Sequence, residues 1–349
     1  MTAVENQSGS GRTEAGDARL AWDGRRPPLI LSLSGGGFRG YFTALVLAGL
    51  EEMLGSPCSR IFNLIAGTSI GGIIAIGLAF GVPARQIAET IATSGPSIFP
   101  TSRLMKLRRI LGAPYSGAPV ENAVRRLLPD VVDGGLSQAR VNVMVVTASP
   151  TTARMELLSS WDSGIGGSIR VRDGALATSA APSYFPEHRV RLGQTEIDLV
   201  DGGIAANAPD AVAVHCAARE LSFPVEQISL LSVGTCSPVT GGSVTPQPSR
   251  RGIVATLLNL GGHGIVDLMM AIQEERGISE AFNLLGADRY LRIDKPTGQY
   301  QGDILALDNA GPESQLTLEA LAKSALDDQA ANQSHSVWQL LRARGQSTK

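Results

Sequence analysis

Gly67-Thr68-Ser69-Ile70-Gly71 places a serine between two glycines, where a short apolar run passes into a helix-like run. That spacing suits a nucleophile. A sharp strand-to-helix turn lifts the hydroxyl off the backbone, and the glycines let the chain pass close to itself and to a substrate. The helix that follows aims its positive end at the turn. The competing reading is a tight turn in a glycine-rich core, and the strand–turn–helix context favours the nucleophile. A second block, Gly35-Gly36-Gly37-Phe38-Arg39-Gly40, also follows an apolar run. It satisfies GxGxxG, but a dinucleotide fold expects an acid at the end of the next strand, and that strand ends in Ala66-Gly67-Thr68-Ser69. A phosphate-binding loop expects Lys and Ser or Thr where Tyr41-Phe42 stand. Glycines can instead leave backbone N–H groups free to face a developing oxyanion, at about 3–4 kcal/mol for each donor. A third block, Asp201-Gly202-Gly203, closes the apolar run Ile197–Val200. It reads either as a carboxylate presented into a site or as an ordinary Asp-Gly turn.

A nucleophilic serine needs a base. The histidines are His188, His215, His263 and His335, and none sits in a recognisable motif. No group of His, Cys and carboxylates has metal-ligand spacing, so neither a metal nor another cofactor is expected.

The elements that must position these residues follow from periodicity and punctuation. Leu29–Leu33 and Ile61–Ala66 read as buried strands, each followed by glycines and then a helix, Tyr41–Leu54 with Gly55 as its stop and Ile70–Phe80. Pro83 opens a helix to about Thr93, and residues 94–119 read as irregular. Further strands are expected at Val141–Ala148, Ile197–Val200, Ile228–Val233 and Tyr290–Ile293, and further helices at Gly174–Ala181, Ile265–Leu285 and Thr317–Leu341. Thr235–Gly252 reads as a loop. Alternating strands and helices predict an α/β fold with a mainly parallel sheet covered on both faces. Ile61–Ala84 has no charge and the length of a membrane span. It also holds Asn63, Thr68, Ser69 and several glycines, so it reads as a buried strand and helix.

Composition narrows the class. The 349 residues carry a net charge of -2, against the basic excess of a nucleic-acid binder. The three cysteines, Cys58, Cys216 and Cys236, form no disulfide or zinc pattern and fit a reducing cytosol. Residues 1–27 are polar and lack the apolar run of a secretory signal. They read as a disordered tail before a single domain, 28–349. Arg103–Ile110 interleaves four basic residues with Leu104, Met105, Leu107 and Ile110. It suits an anionic membrane surface, the phosphates of a regulatory ligand, or simply a solvated helix packed on the core.

Taken together, GGGFRG at 35–40, GTSIGG at 67–72, Thr178–Pro186 and DGGIAANAP at 201–209 resemble the patatin-like phospholipase family, in the family's order. Ser34 departs from the Asp that the family usually places before the glycines, a position that is not a catalytic partner there. The resemblance implies a three-layer α/β/α fold and a serine lipid acyl hydrolase that needs no histidine. It maps the nucleophile onto Ser69, the base onto Asp201, and the oxyanion hole onto the backbone of Gly35, Gly36 and Gly37, with Arg39 adding charge or support. An ordinary carboxylate, of pKa about 3.9, is a weak base, and burial should raise it. The implied substrate is a phospholipid membrane surface, met from the cytoplasmic side by a peripheral enzyme. Within the family the chain is most like bacterial effectors of anti-phage signalling, phospholipases switched on by a cyclic dinucleotide. A non-catalytic lipid or nucleotide sensor that keeps the fold is the alternative.

Overall fold

The computed structural model describes Trp22, Gly24, Thr297 and residues 26–100, 115–161, 169–182, 184–192, 195–237, 265–295, 304–331 and 333–346. Most of the polar tail, the basic stretch 103–110, most of the loop 235–252 and His263 lie outside them. The strands are β1 (Leu29–Leu33), β2 (Leu64–Thr68), β3 (Asn142–Ser149), β4 (Arg154–Ser159), β5 (His188–Leu192), β6 (Thr195–Asp201), β7 (Ser229–Val233) and β8 (Tyr290–Ile293). The helices are α1 (Gly40–Leu54), α2 (Cys58–Ile61), α3 (Ile70–Ala79), α4 (Ala84–Ile98), α5 (Ala118–Leu127), α6 (Val171–Thr178), α7 (Gly203–Ala206), α8 (Asp210–Glu220), α9 (Ile265–Leu285), α10 (Pro312–Ala331) and α11 (Ser336–Gln346).

The strands form one sheet in the order β5-β6-β3-β2-β1-β7-β8, with β4 beside β3. From β3 to β8 the neighbours are parallel, and β4, β5 and β6 join antiparallel. Alternate residues of the central strands serve opposite faces, as the pleat requires. Leu29, Leu31, Leu33, Ile65 and Val145 pack with α1, α3, α4 and Trp338 of α11. Ile30, Leu64, Ala66 and Met144 pack with α8 and the end of α9. Each fully buried Leu, Ile or Phe contributes roughly 1.5–3 kcal/mol, so both layers are strongly held. This is why β1 and β2 read as continuous apolar runs.

Sequence and structure agree on the central strands and helices and differ at their edges. The second strand begins at Leu64, because Cys58–Ile61 is a helical turn. The helix after Pro83 continues to Ile98 through Pro96, so the irregular stretch starts later than expected. The last helical stretch is two helices, α10 and α11. No described helix is long and apolar enough to cross a membrane. The uncharged run is β2, a turn and α3, as its polar residues and glycines implied.

One detail of the sheet decides the site. β3 bonds β2 along Asn142–Val146 and bonds β6 at Thr147 and Ala148. β4 occupies its other edge along Met144–Ser149. Strand β6 therefore arrives head-on to the end of β2, on the same edge of β3. Thr68 pairs with Val146, and Asp201 pairs with the next residue, Thr147. The last residue of β6 is thus delivered beside Ser69.

Candidate active site

Ser69 stands between β2 and α3 at φ 56°, ψ -128°. A left-handed φ is rare outside glycine and marks a backbone held in place by its surroundings. The holding contacts are visible. Thr178 Oγ1 accepts the Ser69 N–H at 3.0 Å and donates to the Val146 carbonyl at 2.7 Å. The Thr68 hydroxyl donates to the Ala206 carbonyl at 2.7 Å. The glycines permit the turn: a Cβ on Gly67 would lie 2.2 Å from the Gly71 carbonyl oxygen, and one on Gly71 would lie 2.4 Å from the Leu33 carbonyl oxygen.

Asp201 is buried, with 4% of its surface exposed. Its backbone N–H donates to the Ala180 carbonyl at 2.9 Å, and its Oδ1 accepts the Gly203 N–H at 2.7 Å. The Ser69 side chain lies near enough to the Asp201 carboxylate to favour the charged form. Burial pushes the Asp201 pKa up to about 6 against the opposing pull of the Ser69 and Gly203 donors. At this Asp-Gly pair the turn is present, and the register of β6 brings Asp201 beside the end of β2. The segment 178–186 is the brace, since Thr178 holds the Ser69 backbone and Ala180 holds the Asp201 backbone.

The glycine cluster lies against this pair. A Cβ on Gly35 would stand 3.2 Å from Ser69 Cβ. The Gly35 N–H donates to the Asn207 carbonyl at 2.9 Å, so this donor, expected to be free, is already committed. Gly37 has φ 56°, and a Cβ there would meet the Leu307 carbonyl oxygen at 2.3 Å. Among the described residues no acceptor takes the N–H of Gly36 or Gly37. Arg39 is buried and its Nε donates to the Gly36 carbonyl at 3.4 Å, within the turn it belongs to.

No described histidine competes with Asp201 for the serine. His188 pairs with Asp173 at 3.1 Å, His215 with Glu280 at 3.1 Å, and His335 Nδ1 accepts the Val337 N–H at 3.2 Å. A groove of about 650 Å³ near the end of β6 is lined in part by Met155, Phe185, Val200 and Ile204 with Arg154 and Glu187, and neither Ser69 nor Asp201 lines it.

Sequence reasoning missed Asn207 and Glu274 as contributors. Asn207 lies inside the DGGIAANAP block, and that was its only signal. Glu274 sits mid-helix with no motif around it, and only the packing of α9 brings it to Asn207, at 2.9 Å.

The chain was compared with known proteins. The family model described as Patatin-like phospholipase matches residues 31–214. A protein of Vibrio cholerae serotype O1 named cGAMP-activated phospholipase is 28% identical over 316 residues, covering 82% of this chain and 86% of the relative. A cGAMP-activated phospholipase of Pseudomonas aeruginosa is 31% identical over 302 residues, covering 83% and 85%. Patatin-like protein 1 of Arabidopsis thaliana is 29% identical over 339 residues, covering 85% and 81%.

Proposed function

This chain belongs to the patatin-like phospholipase family, and from that premise we propose that it cleaves fatty-acyl esters of membrane phospholipids with Ser69 as nucleophile and Asp201 as base. The observation that carries the reading is a serine held at a left-handed φ with a buried carboxylate delivered beside it by the register of β2 and β6 on β3. As Oγ attacks the ester carbonyl, its proton passes to Asp201. The bond to the alcohol of the lipid breaks, and that proton leaves with the alcohol. Water then attacks the acyl-serine, giving a proton to Asp201; the acyl–Oγ bond breaks, Oγ takes that proton back, and a fatty acid departs. The N–H groups of Gly36 and Gly37, which no acceptor among the described residues takes, support an oxyanion hole there. Gly35 and Arg39 shape the loop instead, given the bonds they already make.

The relatives named cGAMP-activated phospholipase support activation by a cyclic dinucleotide. The enzyme would act peripherally at the inner face of the membrane in anti-phage signalling. A sensor that merely kept the fold would need neither a strained serine elbow nor a buried carboxylate beside it.

The test is fatty-acid release from mixed phospholipid vesicles by the wild type and by Ser69→Ala, with and without cGAMP. Release that depends on Ser69 and rises with cGAMP is expected. Release that survives Ser69→Ala removes the serine mechanism, and silence of the wild type with every cyclic dinucleotide tried favours the sensor.

A further inference from the structure

Helix α9 runs along the segment that follows Asp201. Met270, Glu274 and Gly277 occupy one face of it and meet Gly203, Asn207 and Ala208 in the same order. A Cβ on Gly203 would stand 3.1 Å from Met270 Sδ, and a Cβ on Gly277 would stand 2.4 Å from the Ala208 carbonyl oxygen. Between them, Glu274 Oε2 accepts from Asn207 Nδ2 at 2.9 Å and from Ser237 Oγ at 3.1 Å. Its Oε1 accepts from Arg292 Nη2 at 2.9 Å, and Arg292 is shared with Asp294 at 2.6 Å. Glu274 is only 6% exposed. A carboxylate so buried is retained only with partners of this kind.

Asn207 passes this hold to the glycine loop. Its carbonyl takes the Gly35 N–H at 2.9 Å, and its Nδ2 also donates to the Gly35 carbonyl at 3.4 Å. Thr235 Oγ1 donates to the same carbonyl at 3.0 Å. Gly35 is thereby gripped at both its N–H and its carbonyl, and the next two residues carry the N–H groups that no described acceptor takes. A continuous line of bonds therefore runs from Arg292 through Glu274 and Asn207 to the loop facing Ser69.

We propose that Glu274 is a positioning residue: by orienting the Asn207 carboxamide it fixes Gly35, and so holds the N–H groups of Gly36 and Gly37 where charge develops on the substrate carbonyl oxygen. This rests on the acyl-transfer reading above. Donors that act mainly in the transition state alter kcat rather than KM. Displacement of such groups by about 1 Å can cost roughly 100-fold.

The experiment measures kcat and KM for release of fatty acid from phospholipid vesicles, with cGAMP present. It compares wild type, Glu274→Ala, Glu274→Gln, Asn207→Ala, the double variant Glu274→Ala with Asn207→Ala, and Ser69→Ala. Glu274→Ala and Asn207→Ala should each lower kcat by ~10- to 100-fold with KM little changed. The double variant should be no worse than the worse single, because both act through one contact. Glu274→Gln keeps an oxygen for Asn207 and should recover most of the loss. If Glu274→Ala does not fold, Glu274→Asp carries the test, since it keeps charge beside Arg292 while drawing the carboxylate back from Asn207; it should lose about tenfold in kcat. Losses that multiply in the double variant, an effect on KM alone, or full activity in the Glu274 variants overturn the proposal. Activity that persists in Ser69→Ala identifies failure of the acyl-transfer reading itself and takes this proposal with it.

Discussion

Asp201 is pulled two ways. Desolvation penalises its charge, while the Ser69 hydroxyl and the Gly203 N–H favour it, and the balance leaves its pKa at about 6. Such a group is ionised near neutrality yet is a stronger base than an exposed carboxylate. In a pH–rate profile, kcat/KM should therefore fall tenfold per unit below about 6 and level off above it. A limb in the ordinary carboxylate range would point to another base. Stability carries the mirror image. The folded protein holds this proton more tightly than the unfolded chain between the ordinary value of 3.8 and about 6. Stability thus falls as pH rises through that window, and the cost is fully present above it. Asp201→Asn, which cannot ionise, should be more stable than wild type at pH 8 by up to about 3 kcal/mol. That advantage should vanish below about pH 4, and urea unfolding at the two pH values checks it. Ser69 was legible in the sequence from the glycines at 67 and 71, whereas Asp201 was assigned only through the family resemblance. The hold of Thr178 and Ala180 on their backbones was not legible, since a contact between segments so far apart in the chain leaves no local pattern.

At the scale of elements, the site depends on β6 meeting the end of β2 on one edge of β3. The parallel strands that frame this junction are buried on both faces and show as apolar runs. Strands β4 and β5 carry Arg154, Glu156, Arg189 and Arg191 among their apolar residues. Their half-exposed, weakly patterned faces explain why periodicity did not reveal them. The short helix α2 is hidden for a different reason, being a single turn beside Pro57. Close approach of β2 and α3 depends on Gly67. Gly67→Ala would drive a methyl group into the Gly71 backbone, where no flexible side chain can yield. It should destabilise by about 1–3 kcal/mol or more, read as a lowered urea midpoint, with loss of activity at temperatures where the variant remains folded.

At the scale of the molecule, α11 is tied to the centre of the sheet. Arg344 in α11 donates to the Ile61 carbonyl at 2.6 Å, to Asn63 Oδ1 at 2.8 Å and to the Pro27 carbonyl at 2.5 Å. Asn63 Oδ1 in turn accepts the Leu29 N–H at 3.0 Å. The last helix therefore locks the entrances of β1 and β2. Arg344→Ala should leave several buried acceptors without a donor and cost about 2–4 kcal/mol, measurable by urea unfolding. A lone arginine in α11 gives no hint of this in the sequence, whereas the four sequence blocks, read jointly, pointed to the family that the comparisons identify.

The most direct measurement of the serine mechanism is intact and peptide mass analysis after reaction with a long-chain fluorophosphonate, which phosphonylates an activated serine. A single adduct on the peptide carrying Ser69 is expected. It should be absent in Ser69→Ala and slowed by at least ~100-fold in Asp201→Asn. An adduct on another residue, or equal labelling of wild type and Asp201→Asn, would contradict the Ser69–Asp201 pair as the reacting centre.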